Sequence, residues 1–109
     1  MKTLKTPIII ALMFTPLMPF AQSNPIADGK TLFQKRCKMC HGRDGTRGFL
    51  GAANLQLSKL DEQALVNVIT NGRKIMPSWR TTFTPEQIAK IATYVKTLRI
   101  EQTKVVAGR

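Results

Sequence analysis

The sequence predicts an all-α fold of three or four short helices. Three observations carry this reading. Ile88, Ile91, Ala92, Val95 and Leu98 recur at helical spacing, with Tyr94 beside the stripe. Helix-start chemistry stands at Asn24-Pro25, at Asp61 and at Thr84-Pro85-Glu86-Gln87. There is no convincing pair of alternating apolar runs to make a hairpin, and no internal repeat.

The first 23 residues read as a secretory signal peptide. Lys2 and Lys5 precede an uncharged stretch from Pro7 to Ala21 that is interrupted by Pro16 and Pro19. Cleavage after Ser23 puts Ala21 and Ser23 at the small-residue positions, so Asn24 is the expected mature start. An uncleaved anchor is the alternative, but the apolar run is about 15 residues against the ~20 of a spanning helix.

The first helix is expected from Pro25 to about Met39, with Asn24 as N-cap and Pro25 at the first helical position. Gly29 lies inside it and invites close approach of another helix; the alternative is a helix that starts only after Gly29. Gly42, Gly45, Gly48 and Gly51 make residues 42–57 a loop. A second helix runs from about Leu60 to Thr70, capped by Asp61, stapled by Leu60 and Leu65, and ended by Asn71-Gly72. The last helix starts at a capping box, Thr84 to Gln87, with Pro85 in its first turn. Residues 101–109 are polar and are expected to fray.

Removing residues 1–23 leaves 86 of 109 residues and takes away two of 17 basic side chains and none of six acidic ones, for a mature charge of +9. Domains of this size bury a modest fraction of their surface and commonly need a disulfide, a metal or a large cofactor. The composition excludes a two-domain enzyme with a cleft. It also excludes a disulfide scaffold, since only two cysteines are present.

Those cysteines stand in Cys37-Lys38-Met39-Cys40-His41, beside the single histidine. This is the spacing of haem c attachment. Cys37 and Cys40 can each add to one haem vinyl group, and His41 then lies under the iron as proximal ligand. Zinc fits poorly, because two thiolates and one imidazole fall short of a four-ligand structural site. A thioredoxin-like pair wants a preceding strand, whereas the flanks are helical before and glycine-rich after. A structural disulfide or a chance motif is the remaining bland reading.

An electron-transfer haem needs a second axial ligand, and a thioether raises the potential. Met1, Met13 and Met18 leave with the signal, and Met39 sits on the attachment turn. Met76 remains, 35 residues after His41, with Pro77 holding it on an extended loop. The bland alternative is a methionine that merely fills the core. On the haem reading, one covalent haem c replaces the missing core, and the apo chain is expected to be largely unfolded.

These residues resemble the class I monohaem c-type cytochromes, especially the small bacterial periplasmic ones. The resemblance covers roughly Ala27 to Leu98, and it implies the cytochrome c fold over 24–109. It implies a crossing of the first and last helices at Gly29, Phe33 and Tyr94. Many members carry proline in the segment matching Gly51-Ala52-Ala53-Asn54-Leu55, where its carbonyl accepts from the proximal histidine. Ala53 stands in that place, so the resemblance implies an Ala53 carbonyl on His41 from a loop less rigid than usual. Trp79, after Met76-Pro77, either reaches a haem propionate with its indole N–H or packs on the haem.

Iron with both axial positions filled by protein has no vacancy for substrate, so the expected role is that of a monomeric periplasmic one-electron carrier and not an enzyme. A dedicated haem subunit of a larger oxidoreductase is the alternative, followed by a peroxidase or gas sensor. Lys38, Arg43, Arg47, Arg73, Lys74 and Arg80 lie in or beside the haem-bearing segments. They form either a docking collar for acidic redox partners or a solvated surface. Nucleic acid is not an expected partner, since the chain is exported and has no base-stacking module. Intact-mass measurement of the exported protein is expected to give a chain starting at Asn24 plus one haem; the full-length mass would refute cleavage.

Overall fold

The structure is a computed structural model that describes residues 2–100; the tail expected to fray lies outside the described residues. Residues 2–23 carry no helix or strand, and their side chains are exposed. No helix among the described residues is long and apolar enough to cross a membrane.

Four α-helices follow: α1 (Pro25–Arg36), α2 (Lys38–His41), α3 (Glu62–Asn71) and α4 (Pro85–Thr97). Each of the three longer ones starts where its cap chemistry dictates. Asn24 accepts from the Ile26 and Ala27 amides at 3.1 and 3.3 Å, and Asp61 accepts from Ala64 N at 2.8 Å. Thr84 and Gln87 close a reciprocal capping box, with Thr84 Oγ1 accepting at 3.2 Å and Gln87 Oε1 at 2.9 Å. The expected first helix is shorter than its periodicity suggested. It stops at Arg36, and Cys37 serves as its C-cap before the single turn of α2. The expected loop at 42–57 contains two one-turn 3-10 helices, Phe49–Gly51 and Leu55–Leu57. Both are too short for a periodic signal.

α1 and α4 cross at Gly29. A Cβ there would fall 2.1 Å from the Lys90 carbonyl oxygen and 2.9 Å from Tyr94 Cβ, so only hydrogen fits. One turn on, the Phe33 and Tyr94 rings meet edge to face, 5.3 Å apart at 62°. Beside the crossing, Lys90 pairs with Asp28 at 2.8 Å; being partly exposed, the pair is worth at most about 1 kcal/mol. α3 packs on α4 through Leu65 and Ile69, which are buried with Ile88, Ile91, Ala92 and Val95.

At the edge of the α3–α4 contact, Lys96 reaches Glu62 at 3.0 Å and holds its carboxyl below the ordinary range. A depressed carboxylate pKa stabilises the fold above the ordinary value of 4.5, and that contribution is lost as pH falls through the lowered value. The residues after α4 fold back on the loop: Leu98 lies against Gly45, Ile100 N donates to Gln56 O at 3.2 Å, and the Arg99 guanidinium donates to the Leu60 carbonyl.

Gly29→Ala in the holoprotein is expected to lower stability by about 1–3 kcal/mol through overpacking. A helix glycine free of that contact would instead gain about 1 kcal/mol from the same change. Chemical denaturation distinguishes the two signs.

Candidate functional site

The helices and loops enclose one largely apolar cavity of about 440 Å³, within the ~300–1,000 Å³ range of ligand pockets. Phe33, Leu65, Ile69, Ile91 and Val95 give it core walls. Cys37, Cys40, His41, Ala53, Met76 and Trp79 all line it. The six residues singled out from sequence are therefore brought together on one surface, from three separate stretches of chain.

The attachment turn is built by backbone bonds. Cys37 N donates to Phe33 O at 2.8 Å and His41 N to Cys37 O at 3.0 Å, so the motif stays helical through the break at Cys37. Gly42 then adopts φ 79°, ψ 168°, a region essentially reserved for glycine. The chain turns away there, leaving the imidazole on the cavity wall. His41 is buried, and its Nδ1 donates to the Ala53 carbonyl at 3.0 Å. Nε2 has no hydrogen-bond partner among the described residues.

Cys37 and Cys40 form no disulfide with each other. Burial, with Cys40 beside it, pushes the Cys37 thiol from its ordinary 9.0 up to about 12. Reactive dithiol pairs carry a lowered pKa instead, so this pair does not look like a catalytic disulfide. Met39 is 69 % exposed and lies off the cavity.

Met76 is held by a tight turn. Arg73 N donates to Met76 O at 3.1 Å and Met76 N donates to Arg73 O at 3.0 Å. Gly72 makes that turn possible: it sits at φ 74°, ψ 171°, and a Cβ would fall 2.5 Å from Met76 O and 2.8 Å from Ser78 N. Trp79 is tied to α3 by its amide, which donates to Ile69 O at 3.0 Å, and its ring lies 5.8 Å from Phe83. Its indole N–H has no partner among the described residues.

Two cavity-lining residues have a backbone conformation that the sequence reading did not anticipate. Leu50 and Lys74 hold φ of 53° and 55°, a left-handed conformation unusual for such side chains. Glycine is the local signal for positive φ, and neither position has it.

Residues 24–95 match the family described as cytochrome c oxidase, cbb3-type, subunit III. The chain belongs to the c-type cytochromes. This cytochrome is 34% identical to cytochrome c6 of Rippkaea orientalis, over 87% of this chain and 92% of that protein. It is 32% identical to cytochrome c6 of Gloeothece citriformis, over 87% and 93%. It is also 38% identical to the cbb3-type cytochrome c oxidase subunit FixP of Bradyrhizobium sp. strain ORS 278, over 74% of this chain but only 30% of that protein. As a c-type cytochrome it carries covalently bound haem c and serves electron transport. The cavity suits that group, offering apolar walls, two cysteines and a buried imidazole with one unpartnered nitrogen.

Gly72→Ala is expected to cost more stability than Gly48→Ala. Gly48 has φ 65° with nothing closer than 3.8 Å to an added Cβ, so alanine there meets only the left-handed penalty of roughly 1–2 kcal/mol. Alanine at Gly72 meets the backbone of Met76 to Ser78 as well, and denaturation of the two variants measures the difference.

Proposed function

We propose that this cytochrome is an exported, periplasmic one-electron carrier. The observation that carries the reading is the single cavity in which Cys37, Cys40, His41 and Met76 meet. In this reading Cys37 and Cys40 would hold the haem by thioether links, His41 Nε2 and the Met76 sulfur would bind its iron, and residues 1–23 are a cleaved signal. Bound haem c supplies one-electron exchange at its iron.

The protein's own residues do the rest. The Ala53 carbonyl fixes the tautomer of His41, so that Nε2 is the nitrogen left to bind. The Gly72 turn and the Arg73–Met76 pairing hold the Met76 backbone in place, so that its thioether would meet the iron with little rearrangement on electron exchange. Trp79 covers one side of the cavity.

The likeness to cytochrome c6, over nearly that protein's whole length, supports a mobile carrier. The likeness to FixP and to the cbb3-type subunit family favours a second reading, a haem subunit held within a larger oxidoreductase. Partner recognition rests on charge. Lys38, Arg43, Arg47, Arg73, Lys74 and Arg80 are all exposed, while Phe49, Leu50 and Ile75 expose apolar surface on the cavity rim. The Arg47 guanidinium lies 5.3 Å over the Phe49 ring. Exposed cations together with an apolar cavity rim fit acidic redox proteins.

The purified protein is expected to stain for haem on a denaturing gel, to give a haem c reduced-minus-oxidised spectrum, and to bind carbon monoxide slowly when reduced. Met76→Ala is expected to abolish the near-infrared methionine-to-iron band and to open the iron to carbon monoxide. An unchanged spectrum in that variant would remove Met76 from the iron. Co-purification with a large partner would select the subunit reading, and electron-transfer rates indifferent to ionic strength would refute steering by charge.

A further inference from the structure

The cavity lining holds three cationic side chains, Arg36, Arg73 and Lys74, and no carboxylate. Beside it lies a second hollow of about 380 Å³, edged by Asn54, Ser58, Lys59 and Arg73 and again free of carboxylates. Ala53, Ser58, Leu60 and Arg73 border both, which makes Arg73 the charged residue at the junction. Four of the acidic side chains are engaged elsewhere. Asp28 and Glu62 pair with Lys90 and Lys96, Asp44 accepts from Thr46, and Asp61 caps α3.

An apolar recess opening into a polar, cationic hollow suits a ligand with a flat apolar body and carboxylates along one edge. Haem has that form, with vinyl groups on one side and two propionates on the other. Cys37 and Cys40 line the larger cavity alone. The vinyl edge therefore belongs there, and the hollow falls to the opposite edge.

We propose that Arg73 is the cationic anchor of a haem propionate. The proposal rests on the haem c site described above and adds a residue to it. A guanidinium presents paired N–H donors that match a carboxylate in two parallel bonds, whereas the Lys59 ammonium at the same hollow is a hydrated point charge. Arg73 also pairs its backbone with Met76 through two hydrogen bonds. One residue thus serves the propionate with its side chain and the Met76 turn with its main chain, and the two roles are separable by substitution.

Arg73→Gln, Arg73→Lys and Arg80→Gln holoproteins test this, Arg80 being a cation that lines neither cavity. Three signals are read: the midpoint potential, the propionate bending band in the resonance Raman spectrum, and the near-infrared methionine band. The wild type must first show the haem c spectrum; its absence would overturn the haem reading itself. With haem present, Arg73→Gln is expected to shift the potential downward, because loss of a positive charge favours the ferric state. The shift should exceed that of Arg80→Gln and come with a displaced propionate band and an intact near-infrared band. Arg73→Lys is expected to recover most of the potential while leaving the Raman band displaced. Equal shifts in Arg73→Gln and Arg80→Gln, or an unmoved propionate band, overturn the proposal. So does loss of the near-infrared band together with the potential, which marks a scaffold role. If Arg73→Gln fails to accumulate, the Raman band of Arg73→Lys decides in the same way.

Discussion

The contact on which the structure depends is the crossing of α1 and α4 at Gly29, where one helix lies directly on the Lys90 carbonyl of the other. Close approach sets Phe33 against Tyr94. Phe33, Ile91 and Val95 are then both core and cavity wall. A short chain cannot fill a large interior with its own side chains. Here it arranges them as a shell, and Cys37, at the end of α1, is carried to the inner surface of that shell.

The two candidate iron ligands sit on opposite kinds of scaffold but are fixed by the same device. His41 ends a helical turn and Met76 ends a non-helical one, yet each neighbours a glycine in a conformation closed to other residues. Gly42 at ψ 168° follows the imidazole, and Gly72 at ψ 171° opens the turn to the thioether. Backbone strain would accompany any other residue there. Rigid delivery of two side chains from unrelated segments is what a redox centre with little reorganisation requires.

Much of this was legible in sequence because its causes are local. The caps at Asn24, Asp61 and Thr84 are decided within four residues, as is the stripe of α4. Gly29 read as a close-approach point because glycine inside a helix has few other uses. The break at Cys37 was not legible, because the side chains around it still suit a helix. The left-handed Leu50 and Lys74 were hidden because neither is glycine, the residue that ordinarily signals a positive φ. The hydrogen bond from His41 to Ala53 spans 12 residues, and only the resemblance pointed to it. Of the basic residues, Arg73 stood undifferentiated among six, because its distinction lies in where two cavities meet.

The Asp28–Lys90 pair joins positions 62 apart in the chain, and the residues after α4 fasten the loop between Gly45 and Leu60. Joining such distant positions costs loop-closure entropy before the contacts between them repay it. The pocket needs both ends of the chain, since Phe33 of α1 and Ile91 and Val95 of α4 all line it. Until that closure the two thiols and the imidazole travel on an open strand, reachable by whatever joins them to the macrocycle, and afterwards the same fold shuts them in.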